Sequence, residues 1–144
     1  MMNKLLLKTL PLSNVNAALL LLRVGVSLMM LTHGYPKLMR FFADEPISFT
    51  SILGLSAAVS LALAVFAEFV CSLFIILGVG TRLASIPLIV TMAVAAFHVH
   101  ADDPFSRKEK ALLFLLIYLV LLFTGGGKYS VDHLWSRKRI KRRR

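Results

Sequence analysis

Apolar residues in this chain fall into four long runs separated by short polar breaks. The runs cover residues 15–33, 52–78, 82–99 and 107–124. Runs of that length predict membrane-spanning helices, because a helix of 19 residues such as the first rises about 28 Å, roughly one hydrocarbon core. The second run holds 27 residues, which predicts a tilted helix or one that extends beyond the bilayer. The breaks carry matching signals. Ser13 or Asn14 suits the cap of the first helix, and Gly34 with Pro36 predicts its end or a kink. Pro36 also suits the first position of a new short helix reaching Phe42. Gly78 and Gly80 predict a tight connection between the second and third helices. Ser106 and Glu109 have the spacing of a capping box opening the fourth helix, and Gly125-Gly126-Gly127 stops it. The predicted fold is all-α: an integral membrane four-helix bundle over residues 1–136, then a polybasic tail at 137–144.

Composition sharpens the class. The chain is 58% hydrophobic, against about 45–50% for a soluble domain. Its net charge of +10 resides mainly in the tail: Arg137 to Arg144 carries seven positive charges and leaves +3 elsewhere. On a membrane protein such a tail predicts contact with anionic lipid and a cytoplasmic C-terminus rather than a nucleic-acid partner. Lys4 and Lys8 place the N-terminus on the same side, as four spans require. Residues 1–11 resemble the start of a signal peptide, but no small-residue cleavage site follows, so the first span is expected to be retained. The single cysteine, Cys71, excludes an intrachain disulfide and dithiol chemistry within the chain.

Charge inside an apolar run is expensive, which singles out Arg23 and Glu68. Counted from the predicted inner ends of their helices they lie about 13 Å and about 15 Å deep. Neighbouring antiparallel helices at equal depth predict a buried ion pair between them. Such a pair either locks helix register or makes Glu68 a proton acceptor or ligand-binding carboxylate in a cavity. A second group gathers at the predicted outer face: His33, Lys37, His98, His100, Asp102 and Glu109. These residues satisfy helix ends, or line a polar pocket for the head group of a quinone or lipid, or hold a metal through His33, His98 and His100. The two-residue spacing of His98 and His100 points them in different directions on a helix, so no metal is expected.

Taken together, these residues resemble the DoxX family of small four-helix membrane proteins. The resemblance rests on Arg23, Gly25 and His33-Gly34-Tyr35-Pro36-Lys37, then on Glu68 and Leu77-Gly78-Val79-Gly80-Thr81-Arg82. Ala95 with His98, Glu109, and the closing Gly125 to Asp132 segment extend it over nearly the whole chain. It implies Arg23, His33, Lys37, Glu68, Arg82, His98 and Asp132 as the family's polar positions. It also implies a bacterial inner-membrane protein associated with redox, detoxification or oxidative-stress complexes. The chain has no CxxC, no nucleotide fingerprint and no mid-membrane haem-ligand pair, so electron transfer requires a bound quinone or a partner subunit. The leading expectation is a quinone-linked membrane subunit without autonomous turnover, with Arg23, His33, Lys37, Glu68, His98 and Glu109 around the ligand. In this reading Arg82, Lys128 and Asp132, with the tail, contact a partner or lipid on the cytoplasmic side. The alternative is a non-enzymatic membrane scaffold or chaperone, and Gly54, Ser56, Ala57 and Ser60 suit close helix contacts within or between copies.

Overall fold

The computed structural model describes residues 12–141. The expected retained N-terminal segment with Lys4 and Lys8, and the last three arginines of the tail, lie outside the described residues. Within them the fold is all-helical. Helix α1 spans Leu12–Met39 and ends in a 3-10 turn, Arg40–Phe42. Helix α2 spans Ala57–Leu77, α3 spans Thr81–Val99, α4 spans Phe105–Thr124 and α5 spans Val131–Lys141. Helices α1, α2 and α3 are long and apolar enough to cross a membrane. Helix α4 is long enough too, but opens with Arg107, Lys108, Glu109 and Lys110.

Several boundaries differ from the sequence expectation, each for a physical reason. Helix α1 runs straight through Pro36, where a break was expected. A proline is tolerated inside a buried or membrane helix, and here Gly34 and Lys37, on either side of it, both contact α2. Helix α2 starts at Ala57, five residues later than expected. Ser56 caps it, its hydroxyl accepting from Val59 N at 3.3 Å, while Ile52 to Leu55 forms a turn. Helix α4 starts at Phe105 with Pro104 as its cap residue. Ser106 therefore lies inside the helix and the expected Ser106–Glu109 capping box is not formed. Helix α5 continues unbroken past residue 137, where the tail was expected to begin. Gly78 stops α2 as expected: it is left-handed (φ 71°), and the Val79 and Gly78 amides donate to Phe74 O and Ile75 O, closing the last turn.

Two π-helical segments, Phe66–Cys71 in α2 and Ala95–Val99 in α3, had no signal in the periodicity. The first contains Glu68 and lies at a close approach of α1 to α2. A Cβ on Gly34 would stand 2.8 Å from the Glu68 carbonyl carbon and 2.9 Å from Phe69 N. Only glycine permits backbones to meet at that distance.

The core follows the helical period. Val26 and Met30 of α1, Ala67, Cys71 and Ile75 of α2, Ala84, Leu88, Met92 and Ala96 of α3, and Ala111, Phe114, Tyr118 and Leu121 of α4 form one buried cluster. The opposite faces carry large exposed apolar side chains, among them Leu21, Leu63, Leu83, Phe97, Leu116 and Phe123. A core of packed small and large residues inside an apolar exterior is the arrangement a bilayer accommodates, whereas water would oppose it.

Candidate functional site

Glu68 is the buried centre of the site. The α1–α2 contact at Gly34 places Lys37 one turn further along α1, and the Lys37 ammonium forms an ion pair with Glu68 Oε1. The Glu68 side chain is 3% exposed and that of Lys37 26%, so the pair joins the interior to the surface of the bundle. Glu68 Oε2 is buried without a protein partner among the described residues. Two cavities meet at this pair. One, of about 350 Å³, is an apolar cleft between α2 and α3 beneath the Phe49 to Leu55 loop. Its walls include Leu63, Ala64, Val90 and Val94, and its polar end is formed by Lys37, Glu68 and His100. The other, of about 180 Å³, lies among α1, α3 and α4. It is lined by five basic side chains, His33, Lys37, His100, Arg107 and Lys110, with Glu68 as its one acid. His33 lies edge-on to Phe114 with ring centroids 5.9 Å apart.

His100 joins both cavities, and His98 lines neither. The π segment explains the exchange. His100 N donates to Ala95 O at 3.0 Å, an i→i+5 bond that stacks His100 over Ala95, itself on the wall of both cavities. In an α-helix the phase would differ. His100 Nδ1 lies 2.7 Å from Asp103 Oδ2, and this bond, helped by Arg107, holds the Asp103 carboxyl below the usual carboxylate range. An ionised carboxylate only accepts, so Nδ1 carries the hydrogen and Nε2 is the free ring nitrogen. Glu109 also falls outside the site. Arg107, Lys110, Ala111 and Phe114 share the i, i+3, i+4, i+7 face that lines the chamber, and Glu109 is off that face. Among the described residues no three His, Cys, Asp or Glu side chains gather at one point, so the alternative ligand set of His33, His98 and His100 is not assembled.

The expected Arg23–Glu68 pair is not formed. Arg23 is buried at the opposite end of the bundle, with Nη2 donating to Tyr129 O and the guanidinium beside Gly78. Side-chain direction accounts for this. Side chains lean toward the N-terminus of their own helix. On antiparallel α1 and α2, Arg23 and Glu68 therefore lean apart, while Lys37 and Glu68 lean together. At the Arg23 end, Asp132 of α5 accepts from Gly80 N at 2.8 Å and Thr81 N at 3.1 Å, capping α3 from a distant segment. Arg82 donates to Phe123 O at 3.1 Å, and the Lys128 amide donates to Asn16 Oδ1 at 2.8 Å. Arg82, Lys128 and Asp132 thus tie the helix ends of the bundle together.

A family model described as DoxX matches residues 18–101, more than half of the chain. The chain belongs to the DoxX family. An uncharacterized protein of Haemophilus influenzae is 35% identical over 124 residues, covering 81% of this chain and 90% of its own. A second uncharacterized protein of that organism is 32% identical over 71 residues, or 46% of this chain and 47% of the relative. No solved structure matches. The protein is a multi-pass membrane protein of this family, consistent with its three long apolar helices. The DoxX match contains Arg23, His33, Lys37, Glu68, Arg82 and both His98 and His100, and ends before Arg107, Lys110 and Asp132.

Proposed function

We infer that this DoxX protein is a membrane subunit of a quinone-linked redox system, and that it binds the quinone head at the Lys37–Glu68 pair. One observation carries the reading: a buried ion pair stands where an apolar cleft of about 350 Å³ opens into a basic chamber. That volume is within the range of small-molecule sites, and the mix of apolar walls with few polar groups suits a ring on an apolar tail. A bound quinone would supply two-electron, two-proton chemistry, with electrons from a partner subunit. The chain's own residues hold and orient. Lys37 donates to a carbonyl oxygen, His100 offers its free ring nitrogen, and the unpartnered Oε2 of Glu68 exchanges a proton. In this reading α4 is the fourth span, with Arg107, Lys108 and Lys110 at the outer interface, and both termini face the cytoplasm of the inner membrane.

The test is quinone content by mass spectrometry after purification in mild detergent. Wild type is expected to retain quinone in fixed ratio to protein, and Lys37→Gln and Ala95→Phe to lose it while still eluting as folded protein. Ala95 lines both cavities, so the larger side chain fills their junction. Equal quinone in all three proteins marks carry-over with bulk lipid and defeats the reading. A recurrent protein partner without quinone replaces it with the scaffold role.

A further inference from the structure

The side-chain polar atoms that are buried without a protein partner, among the described residues, belong to Glu68, Ser72, Tyr118, Ser27, Thr81 and Arg23. Each of these residues is at most 2% exposed. They occur on all four of the long helices, at successive heights from Glu68 to the Arg23 end. The antiparallel register sets Gly34 against Glu68, while Gly78 meets the Arg23 side chain, so heights along the bundle can be compared between helices. Ser72 lies one turn from Glu68, about 6 Å along the axis, and the Tyr118 hydroxyl lies beside Ser72 within the field of Glu68. Ser27 is about 10 Å from the Glu68 level and Arg23 about 16 Å. Thr81 stands at the Arg23 end, near Gly126 and Ser130.

Successive levels are therefore about 4–6 Å apart in height along the axis, and one water between two oxygens spans about 5.6 Å, twice an O–H···O distance. Buried polar groups that lack protein partners are normally satisfied by such internal waters. Met30, Ile75, Leu88 and Leu121, all fully buried, belong to the same core as these polar groups.

We propose that these groups form a hydrated file that carries protons between Glu68 and the Arg23–Asp132 end of the bundle. A proton on Glu68 Oε2 passes to the adjoining water. Each hydroxyl or water oxygen then accepts one proton and releases another, and one proton leaves at the far end. Only Glu68 changes charge, and no oxidant or reductant is needed. Asp132, within Coulombic reach of Arg23, offsets part of the positive charge at that end. The file is independent of which ligand occupies the cavities.

The experiment uses the full chain in quinone-free phospholipid vesicles that hold a pH-sensitive dye, with a potential imposed by potassium and valinomycin. Wild type is expected to admit protons faster than protein-free vesicles. Tyr118→Phe and Ser27→Ala, on different helices, each remove one hydroxyl and are expected to bring the rate down to that of protein-free vesicles. Their melting temperatures in detergent should stay at the wild-type value. A wild-type rate no higher than that of protein-free vesicles overturns the proposal. So does a wild-type rate retained by both variants, because the file would then bypass their hydroxyls.

Discussion

Gly34→Ala puts the α1–α2 contact to a direct test. The new Cβ would stand 2.8–2.9 Å from backbone atoms of Glu68 and Phe69, whereas ordinary van der Waals contact begins at 3.4 Å. The helices must separate by roughly 0.6 Å (3.4 less 2.8), because the obstructing atoms are backbone and cannot swing aside. Overpacking of this kind costs about 1–3 kcal/mol, and removing a glycine from a helix returns about 1 kcal/mol. The net expectation is a loss of about 1–2 kcal/mol, at the upper side because backbone meets backbone. Gly25→Ala is the matched control. It lies on the same helix with nothing within 4 Å of its Cβ, so only the propensity gain applies and the variant is expected to be stabilised. Cys71 is buried and free, so a thiol-reactive dye reports unfolding directly in detergent. Opposite shifts in melting temperature support the contact; if both alanines stabilise alike, the close approach at Glu68 does not exist.

The ion-pair assignment can be separated from the one that depth alone suggests. Lys37→Met and Glu68→Leu should show a coupling energy of about 0.5–3 kcal/mol in a double-mutant cycle, while Arg23→Met and Glu68→Leu should add within about 0.5 kcal/mol. Coupling of Arg23 and none of Lys37 would reverse the assignment. At the other end, Asp132→Ala removes the cap of α3 and is expected to cost about 1–2 kcal/mol. Faster amide exchange at Gly80 and Thr81 is its signature, and unchanged exchange there would refute the capping role.

Much of the fold was legible because hydrophobic length and glycine punctuation act locally. Gly78 and Gly125 stop their helices where the chain predicts, and the apolar runs are helical apart from residues 52–56 and the stop at Gly78. The errors share a different origin. Equal depth paired Arg23 with Glu68, but charged side chains are long, and the direction in which each leans decides which partner it meets. That rule was available in the sequence and would have favoured Lys37 once Pro36 was allowed inside the helix. His100 displaced His98 through the π segment at Ala95–Val99, which contains no proline or glycine to announce it. Arg107 and Lys110 lie on an i, i+3, i+4, i+7 face that is readable in the sequence, but the spacing of Ser106 and Glu109 competes with it by suggesting a cap. The cap that Asp132 gives α3 joins residues about fifty apart, and no local pattern encodes it.

The bond from Arg23 to Tyr129 also sets an order of assembly. The two residues are 106 positions apart, so at ribosomal speed about 5–20 s pass between the synthesis of the cation and that of its acceptor. Throughout that interval the first helix holds a charge that the finished bundle buries, and α3 has amides that Asp132 has yet to reach. The nascent chain must keep this end open to water, or held by an insertion factor, until its last helix arrives. A chain that terminates ahead of Tyr129 has every long apolar helix and still cannot close.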